Sequence, residues 1–165
     1  MFNSLNVLSS LVYQDAEKAN LYAKRLSSVC RYLLTTQKQP TVGLEEELQF
    51  VNSYLFLEQI RFGENLVFSV DGKNERHRTI IPASLQLLAE NAIKHNVCTA
   101  KSPLIIRITV TENVVVVTNN LQLRNYVVGS GVGIKNLERQ YAIYGKEIKV
   151  TTSKDEFTVN VPFVD

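Results

Sequence analysis

The sequence is poor in the residues that most often carry metal binding and nucleophilic catalysis. It has two cysteines, Cys30 and Cys98, and two histidines, His77 and His95. The cysteines are far apart and show no CxxC or Cys/His spacing, so we expect no zinc site and, instead, the reduced thiols of a cytosolic protein. Two histidines leave little room for catalysis that needs several imidazoles.

Long hydrophobic runs and an excess of one charge are also lacking. The longest aliphatic run, residues 114–117, is far short of the roughly 20 residues of a membrane-spanning helix. No basic-then-apolar leader is visible, so no secretory signal is expected. Eighteen Lys and Arg residues against sixteen Asp and Glu residues give a formal charge of +2, which argues against a nucleic-acid surface. With 45% apolar and 21% charged residues, the chain is expected to form a packed core.

Residues 1–62 have the pattern of a helical hairpin. Over residues 16–34 apolar side chains recur every three or four positions, which predicts an amphipathic helix. After a polar break at residues 37–43, acidic side chains open a second helix, where the helix dipole favours them: Glu45, Glu46 and Glu47. Two long helices with a short connection predict an antiparallel hairpin that can dimerise. Arg31 and Arg61 are expected to form ion pairs with glutamates of the second helix.

The second part, residues 63–165, alternates between strand-like and helical patterns. The strand-like stretches are residues 66–70, 104–110, 114–118, 148–152 and 157–161. One helix is expected to carry Pro82 in its first turn and to bury Leu85, Leu88, Ala89 and Ala92. Another follows a glycine-rich loop and ends at Gly145. Because hairpins replace helical crossovers, we predict an α+β sandwich with a mixed sheet and helices on one face.

The helix after Pro82 carries polar side chains on the face opposite its apolar residues. Asn91, Lys94 and His95 lie at i, i+3 and i+4 and so share that face. An amide oxygen suits Mg²⁺, and an ammonium group suits phosphate oxygens, so the face can hold a metal-bound polyphosphate. An ordinary solvated helix face fits the same pattern.

Two further motifs permit a nucleotide site without requiring it. Gly129, Gly131 and Gly133 precede a helix, whose first N–H groups can bind phosphate, although a flexible loop is the simpler explanation. The spacing fits neither a dinucleotide fingerprint nor a P-loop. Asn119 and Asn120 end a strand, where an amide pair can cap a turn or hydrogen-bond a purine edge.

Together these motifs resemble the Bergerat ATP-binding fold of gyrase, MutL, chaperone ATPases and sensor histidine kinases. Residues 90–95, 119–120 and 131–136 are similar to its N box, G1 region and G2 box. The helical part narrows the resemblance to LytS/YehU-like sensor histidine kinases, on four stretches that follow in the family's order: residues 2–6, 26–32, 44–48 and 54–62. The resemblance divides the chain into dimerisation and phosphotransfer helices, residues 1–62, and an ATPase domain, residues 63–165.

The resemblance implies a role for each matching residue. Asn91 is expected to coordinate Mg²⁺ between the phosphates of ATP, with Glu90 as the acid/base residue beside the acceptor histidine. Lys94 and His95 are expected to steady the phosphates. The glycines Gly131 and Gly133 would cradle the phosphate tail, Asn136 would brace the lid, and Asn119 and Asn120 would contact the purine. Such a set supplies the positioning and charge neutralisation that phosphoryl transfer requires.

Two features depart from the family pattern. The family's acceptor histidine would lie just before Met1, so we expect this chain to bind ATP without phosphorylating itself at that site. The G1 region commonly reads Asp-Asn-Gly-x-Gly, whereas here Asn119 and Asn120 are followed by Leu-Gln-Leu. An Asn in place of Asp loses the charge-assisted bond to adenine, so weaker nucleotide binding or a shifted purine is expected. The short segment from Asn120 to Gly129 predicts a small lid.

The function implied by the resemblance is that of the cytoplasmic kinase portion of a bacterial inner-membrane sensor. Such a protein is expected to use Mg-ATP to phosphorylate a histidine, to dimerise, and to pass the phosphoryl group to an aspartate of a response regulator, of the LytTR type. The membrane would be reached only through other segments, and no nucleic acid is expected. The alternative is a catalytically silent module of the same fold that acts through partner binding or dimerisation.

Overall fold

The computed structural model describes residues 2–72, 77–125 and 131–165. Its five α-helices within these ranges are α1 (Phe2–Gln14), α2 (Ala16–Thr36), α3 (Leu44–Phe62), α4 (Ser84–His95) and α5 (Val132–Ile143). The strands are β1 (Val42–Gly43), β2 (Leu66–Asp71), β3 (Thr79–Ile80), β4 (Leu104–Val110), β5 (Val114–Asn120), β6 (Lys149–Thr152) and β7 (Glu156–Pro162). A 3₁₀ turn, Gly63–Asn65, connects α3 to β2.

The helical part contains three helices where the sequence predicted two. The chain leaves helical geometry at Asp15, whose φ and ψ are −157° and 97°. The Asp15 carboxylate accepts the N–H of Lys18 at 2.9 Å, which is the usual N-cap arrangement for the start of a new helix. This local cap is strong enough to separate α1 from α2, although the apolar spacing continues through both.

The predicted antiparallel hairpin is confirmed for α2 and α3. Tyr32 stacks on Phe50, with ring centroids 3.9 Å apart, close to the connection between the helices. Farther from the connection, Arg25 donates to the Ser53 hydroxyl at 3.3 Å. The expected ion pair of Arg61 is formed with Glu58 at 3.7 Å.

The main sheet has five strands in the order β2-β4-β5-β7-β6. The β2–β4 pair is parallel and the other pairs are antiparallel, as the mixed-sheet prediction requires. Ile108 pairs with Val117, and Val117 pairs with Val159, so these buried side chains lie in one row on the same face of the sheet. This register gives the helices a continuous apolar surface.

Helices α3 and α4 pack on that surface. α3 contacts β2, and α4 contacts β4 and β5. The second sheet, β1 with β3, was not expected from the sequence, because two-residue strands carry no readable alternation. It pairs Val42 with Ile80 and so joins the α2–α3 connection to the segment before α4.

The start of α4 corrects the expected position of Pro82. The helix begins at Ser84, and Pro82 lies in the preceding turn rather than in the first helical turn. Ala83 adopts a left-handed conformation with φ 60° at the N-cap position, which redirects the chain into the helix. In the ranges that the structure describes, no helix has the length and apolar character needed to cross a bilayer.

Candidate functional site

The polar face of α4 and the start of α5 enclose a cavity of about 230 Å³. Among the residues that the structure describes, eight line this cavity: Leu87, Glu90, Asn91, Lys94, His95, Gly131, Val132 and Gly133. The structure therefore brings the helix motif and the glycine motif, which are well separated in the sequence, to one place. We call this space the α4–α5 cavity.

The apolar face of α4 sets which side chains face the cavity. Leu85, Leu88 and Ala92 are buried, as predicted, and this packing fixes the rotation of the helix. The polar side chains then lie on the free side, where Asn91 and His95 are partly buried and Glu90 and Lys94 are exposed. Leu87, which the sequence analysis did not single out, lies one turn before Asn91 and could have been found from that spacing.

The start of α5 presents backbone to the cavity. Gly131 is the N-cap residue, with φ 60°, a conformation that glycine adopts without strain. A methyl group at Gly131 would meet no atom within 4 Å, and one at Gly133 would lie 3.6 Å from a Leu87 methyl group. The first N–H groups of a helix have no partner within the helix, so they are available to an anion in this cavity.

The α4 side of the cavity carries one ammonium group, Lys94, together with the carboxyl group of Glu90 and the imidazole of His95. Partial burial, together with the neighbouring Lys94 ammonium group, lowers the pKa of His95 below its usual value. His95 is therefore expected to be neutral at pH 7 in the unligated protein. A bound anion would favour its protonation, because opposite charges stabilise each other.

Glu90 belongs to a cluster that also contains residues from α3. Its carboxylate accepts the Gln86 amide N–H at 2.8 Å. Burial raises the pKa of Glu58 on α3, and the negative charge of Glu90 adds to that shift while Arg61 opposes it. Burial also raises the pKa of Tyr54, with smaller contributions from both carboxylates. From the sequence, Glu58 was expected only to form an ion pair. The Tyr and Glu that interrupt an apolar helix face could have indicated this cluster.

The two asparagines of the G1 region do not line the α4–α5 cavity. Asn119 is 5% exposed, and its amide nitrogen donates to the Asn120 carbonyl at 2.8 Å. Asn120 accepts the Ile105 N–H at 2.8 Å and donates to the Pro103 carbonyl at 3.0 Å. Both amides thus have partners within the protein, and they line a separate space of about 90 Å³ with Asp155 and other residues.

The segment after the G1 region is fastened to the end of α4. Asn96 accepts the Gln122 N–H at 2.8 Å, and the Asn96 carbonyl accepts the Arg124 side chain at 2.7 Å. The Arg124 N–H donates to the His95 carbonyl at 3.0 Å. These bonds attach residues 122–124 to the last turn of α4 and to Asn96, the residue that follows it.

The remaining predicted residues are less informative. Asn136 is exposed on α5 and does not line the cavity. Gly129 and residues 126–128 of the predicted lid lie outside the described residues.

Comparison with known proteins relates the chain to one family. Residues 1–66 match the family described as Histidine kinase. The sensor protein kinase HptS of Staphylococcus aureus strain USA300 is 31% identical over 142 residues, which cover 86% of this chain and 26% of HptS. The chain thus spans about a quarter of the length of the curated relatives it matches.

Solved structures with the same fold include parts of two histidine kinases. The cytoplasmic segment of QseC aligns with a TM-score of 0.52 at 16% identity, covering 86% of this chain and 93% of that one. The nucleotide-free catalytic domain of ThkA aligns with a TM-score of 0.51 at 20% identity, covering 74% and 95%. At these identities the likeness concerns the fold. The chain is therefore a relative of the sensor histidine kinases, with a helical region that matches their family followed by the fold of their catalytic domain.

Proposed function

We propose that this chain is the kinase portion of a LytS/YehU-like sensor histidine kinase and that its α4–α5 cavity binds the phosphates of Mg-ATP. The observation that carries the proposal is the meeting of Asn91, Lys94 and His95 with the backbone of Gly131 and Gly133. The cavity, at about 230 Å³, is smaller than the roughly 300–1,000 Å³ of typical ligand pockets. We therefore assign the phosphate tail to it, with the base extending outside.

The chemistry of these residues suits a metal-bound polyphosphate. The Asn91 amide offers a hard oxygen to Mg²⁺, which commonly keeps only one or two protein ligands when it is bound with phosphates. Lys94 and His95 supply positive charge to phosphate oxygens, and the N–H groups at the start of α5 supply hydrogen bonds. Mg-ATP supplies the phosphoryl group for transfer, and Glu90 is assigned to take up the proton that the acceptor imidazole releases.

Neither histidine of the chain fits the role of phosphoryl acceptor. His95 lines the proposed phosphate cavity itself. His77, at φ 48°, lies in a different cavity with Glu45 and Glu46. We therefore assign the acceptor histidine to another segment or another chain.

The wider assignments follow from the family resemblance. We propose a homodimer in the whole protein, a membrane anchor outside these residues, and a response regulator, of the LytTR type, as the recipient of the phosphoryl group. Exposed apolar side chains on the helical part support the dimer: Leu5, Val12, Leu33 and Leu34.

A second candidate function is a catalytically silent module that acts through partner binding. It is favoured by the internal hydrogen bonds of Asn119 and Asn120 and by the docking of residues 121–124 on the end of α4. These contacts engage the Asn120 side-chain oxygen and one N–H of each amide, so both side chains already serve in part in bonds within the protein.

The proposed function is tested by calorimetric titration of the chain with ATP, with and without Mg²⁺. We expect binding that requires Mg²⁺ and that Asn91→Ala weakens by about tenfold or more, or about 1.4 kcal/mol. Asn20→Ala, at an exposed position on α2, is the matched control and should bind like the native chain. Absence of binding at millimolar Mg-ATP would refute the proposal and favour the silent module.

A further inference from the structure

Glu47 is fully buried, although it belongs to a row of three glutamates at the start of α3. Glu45 and Glu46 are exposed, whereas Glu47 is 0% exposed. One oxygen of its carboxylate, Oε1, accepts the N–H of Leu85 at 2.9 Å. The other, Oε2, accepts the N–H of Ala83 at 2.9 Å and the hydroxyl of Tyr32.

These bonds make Glu47 the cap of a helix to which it does not belong. Ala83, the N-cap residue of α4, has no polar side chain and makes no side-chain cap bond. The Glu47 carboxylate instead satisfies two N–H groups at the start of α4, where negative charge is also favoured by the helix dipole. Removing such an acceptor would leave buried donors without partners, which is costly in a protein interior.

Tyr32 joins a third helix to the same carboxylate. Its ring is buried and stacks on Phe50 of α3, so the hydroxyl is held in a fixed direction. α2, α3 and the first turn of α4 therefore meet at a single group, the carboxylate of Glu47. From that point α4 runs to the α4–α5 cavity, where it presents Asn91.

We propose that Glu47 is a positioning residue for the α4–α5 cavity. Its carboxylate, oriented by Tyr32, sets where α4 begins relative to α2 and α3 and thereby holds Asn91 in place against the start of α5. Because Tyr32 of α2 contacts the same carboxylate, a displacement of α2 would also displace the start of α4. The part of this inference that concerns nucleotide rests on the proposed function; the part that concerns α4 does not.

The test compares three variants of the full chain. Glu47→Gln keeps the size of the side chain but directs an NH₂ group at one of the N–H donors. Tyr32→Phe keeps the stacked ring and removes only the hydroxyl. Glu46→Gln, one residue away and exposed, is the matched control. For each variant, amide hydrogen exchange is measured residue by residue without nucleotide, and the Mg-ATP dissociation constant is measured by calorimetry.

A positioning role predicts a change confined to α4. In Glu47→Gln, exchange over residues 85–95 should rise about tenfold relative to β4 and β5, and the affinity for Mg-ATP should fall by about as much. Tyr32→Phe should give a smaller change in the same direction, and Glu46→Gln should give neither. If exchange rises equally in α4 and the sheet, or does not rise, the inference is overturned.

The two proposals fail in different ways. If the native chain does not bind Mg-ATP, the proposed function is refuted, and the exchange pattern alone decides whether Glu47 positions α4. If Glu47→Gln does not fold, the same comparison of α4 with the sheet in Tyr32→Phe decides it.

Discussion

At the scale of single residues, burial and a neighbouring carboxylate raise the pKa of Glu58, which lies on α3 beside α4. Glu58 of α3 faces Tyr22 of α2 and Glu90 of α4, with Tyr54 and Arg61 on its own helix. Cys98, after α4, also interacts with its charge. Burial raises the pKa of Glu58, the charge of Glu90 raises it further, and Arg61 only partly offsets both.

This shift predicts how Glu58 affects stability at different pH values. Because the folded chain holds the Glu58 proton more tightly than the unfolded chain, the native side chain contributes most below its ordinary pKa of 4.5. The unfolding free energy of the native chain relative to Glu58→Gln should therefore fall as pH rises through the raised pKa. Urea unfolding from about pH 4 to about pH 8 measures this difference.

The exposed Glu64 provides the control for this series. The pH dependence should be larger for Glu58→Gln than for Glu64→Gln, with both variants measured over the same range. If the unfolding free energy of the native chain rises with pH relative to that of Glu58→Gln, the pKa of Glu58 is not raised by folding.

At the scale of secondary-structure elements, the start of α5 combines two properties that a substitution can separate. Gly133 lies within the first turn of the helix, and a methyl group there would make an ordinary contact with Leu87. The same methyl group would lie where the backbone faces the α4–α5 cavity. Stability and anion binding should therefore respond differently to a side chain at this position.

Gly133→Ala is predicted to leave the fold intact and to weaken nucleotide binding. The unfolding free energy should be unchanged or rise by up to about 1 kcal/mol, since alanine favours helix more than glycine does. The Mg-ATP dissociation constant should rise, because the methyl group keeps phosphate from the backbone. Gly43→Ala, also at a helix start with free space around it, is the control and should not affect binding. Equal affinity in Gly133→Ala would show that phosphate does not approach this turn.

The elements that the sequence predicted well are those with a regular apolar pattern. The hairpins of β4 with β5 and of β6 with β7 were predictable because β-branched residues are frequent in these runs and short polar segments divide each pair. The break at Asp15 was not, since a single cap outweighed a continuing helical pattern. The hydrogen bonds of Asn120 could not be predicted either, because its partners are distant in the sequence. Ile105 belongs to β4, and Pro103 is the residue before that strand.

At the scale of the whole molecule, the helical part and the sheet share one hydrophobic core. Leu44, Val51 and Leu55 of α3 are 0% exposed and belong to the same buried cluster as the sheet residues Leu104 and Ile106. The resemblance divides the chain after residue 62, which assigns α3 to the helical domain. The packing indicates that the sheet part depends on α3 to cover its apolar surface.

This dependence predicts different outcomes for two truncations. Residues 37–165, which keep α3, should fold with a cooperative thermal transition, although with lower stability because Tyr32 is missing. Residues 63–165 should not, because the surface covered by α3 becomes exposed to water. The thermal transition of each truncated chain is followed by circular dichroism, and its folded state is assessed from the dispersion of the amide NMR spectrum. A cooperative transition for residues 63–165 would contradict this view and establish an independent domain.

An amide NMR titration of the 165-residue chain tests whether the α4–α5 cavity holds the phosphates of Mg-ATP. We expect Mg-ATP to shift the resonances of residues 90–95 and 131–133 together, with a common dissociation constant. In Asn91→Ala the same resonances should shift with a dissociation constant about tenfold higher or more. Shifts confined to other parts of the chain, or no shifts at millimolar Mg-ATP, would mean that the phosphates do not bind in this cavity.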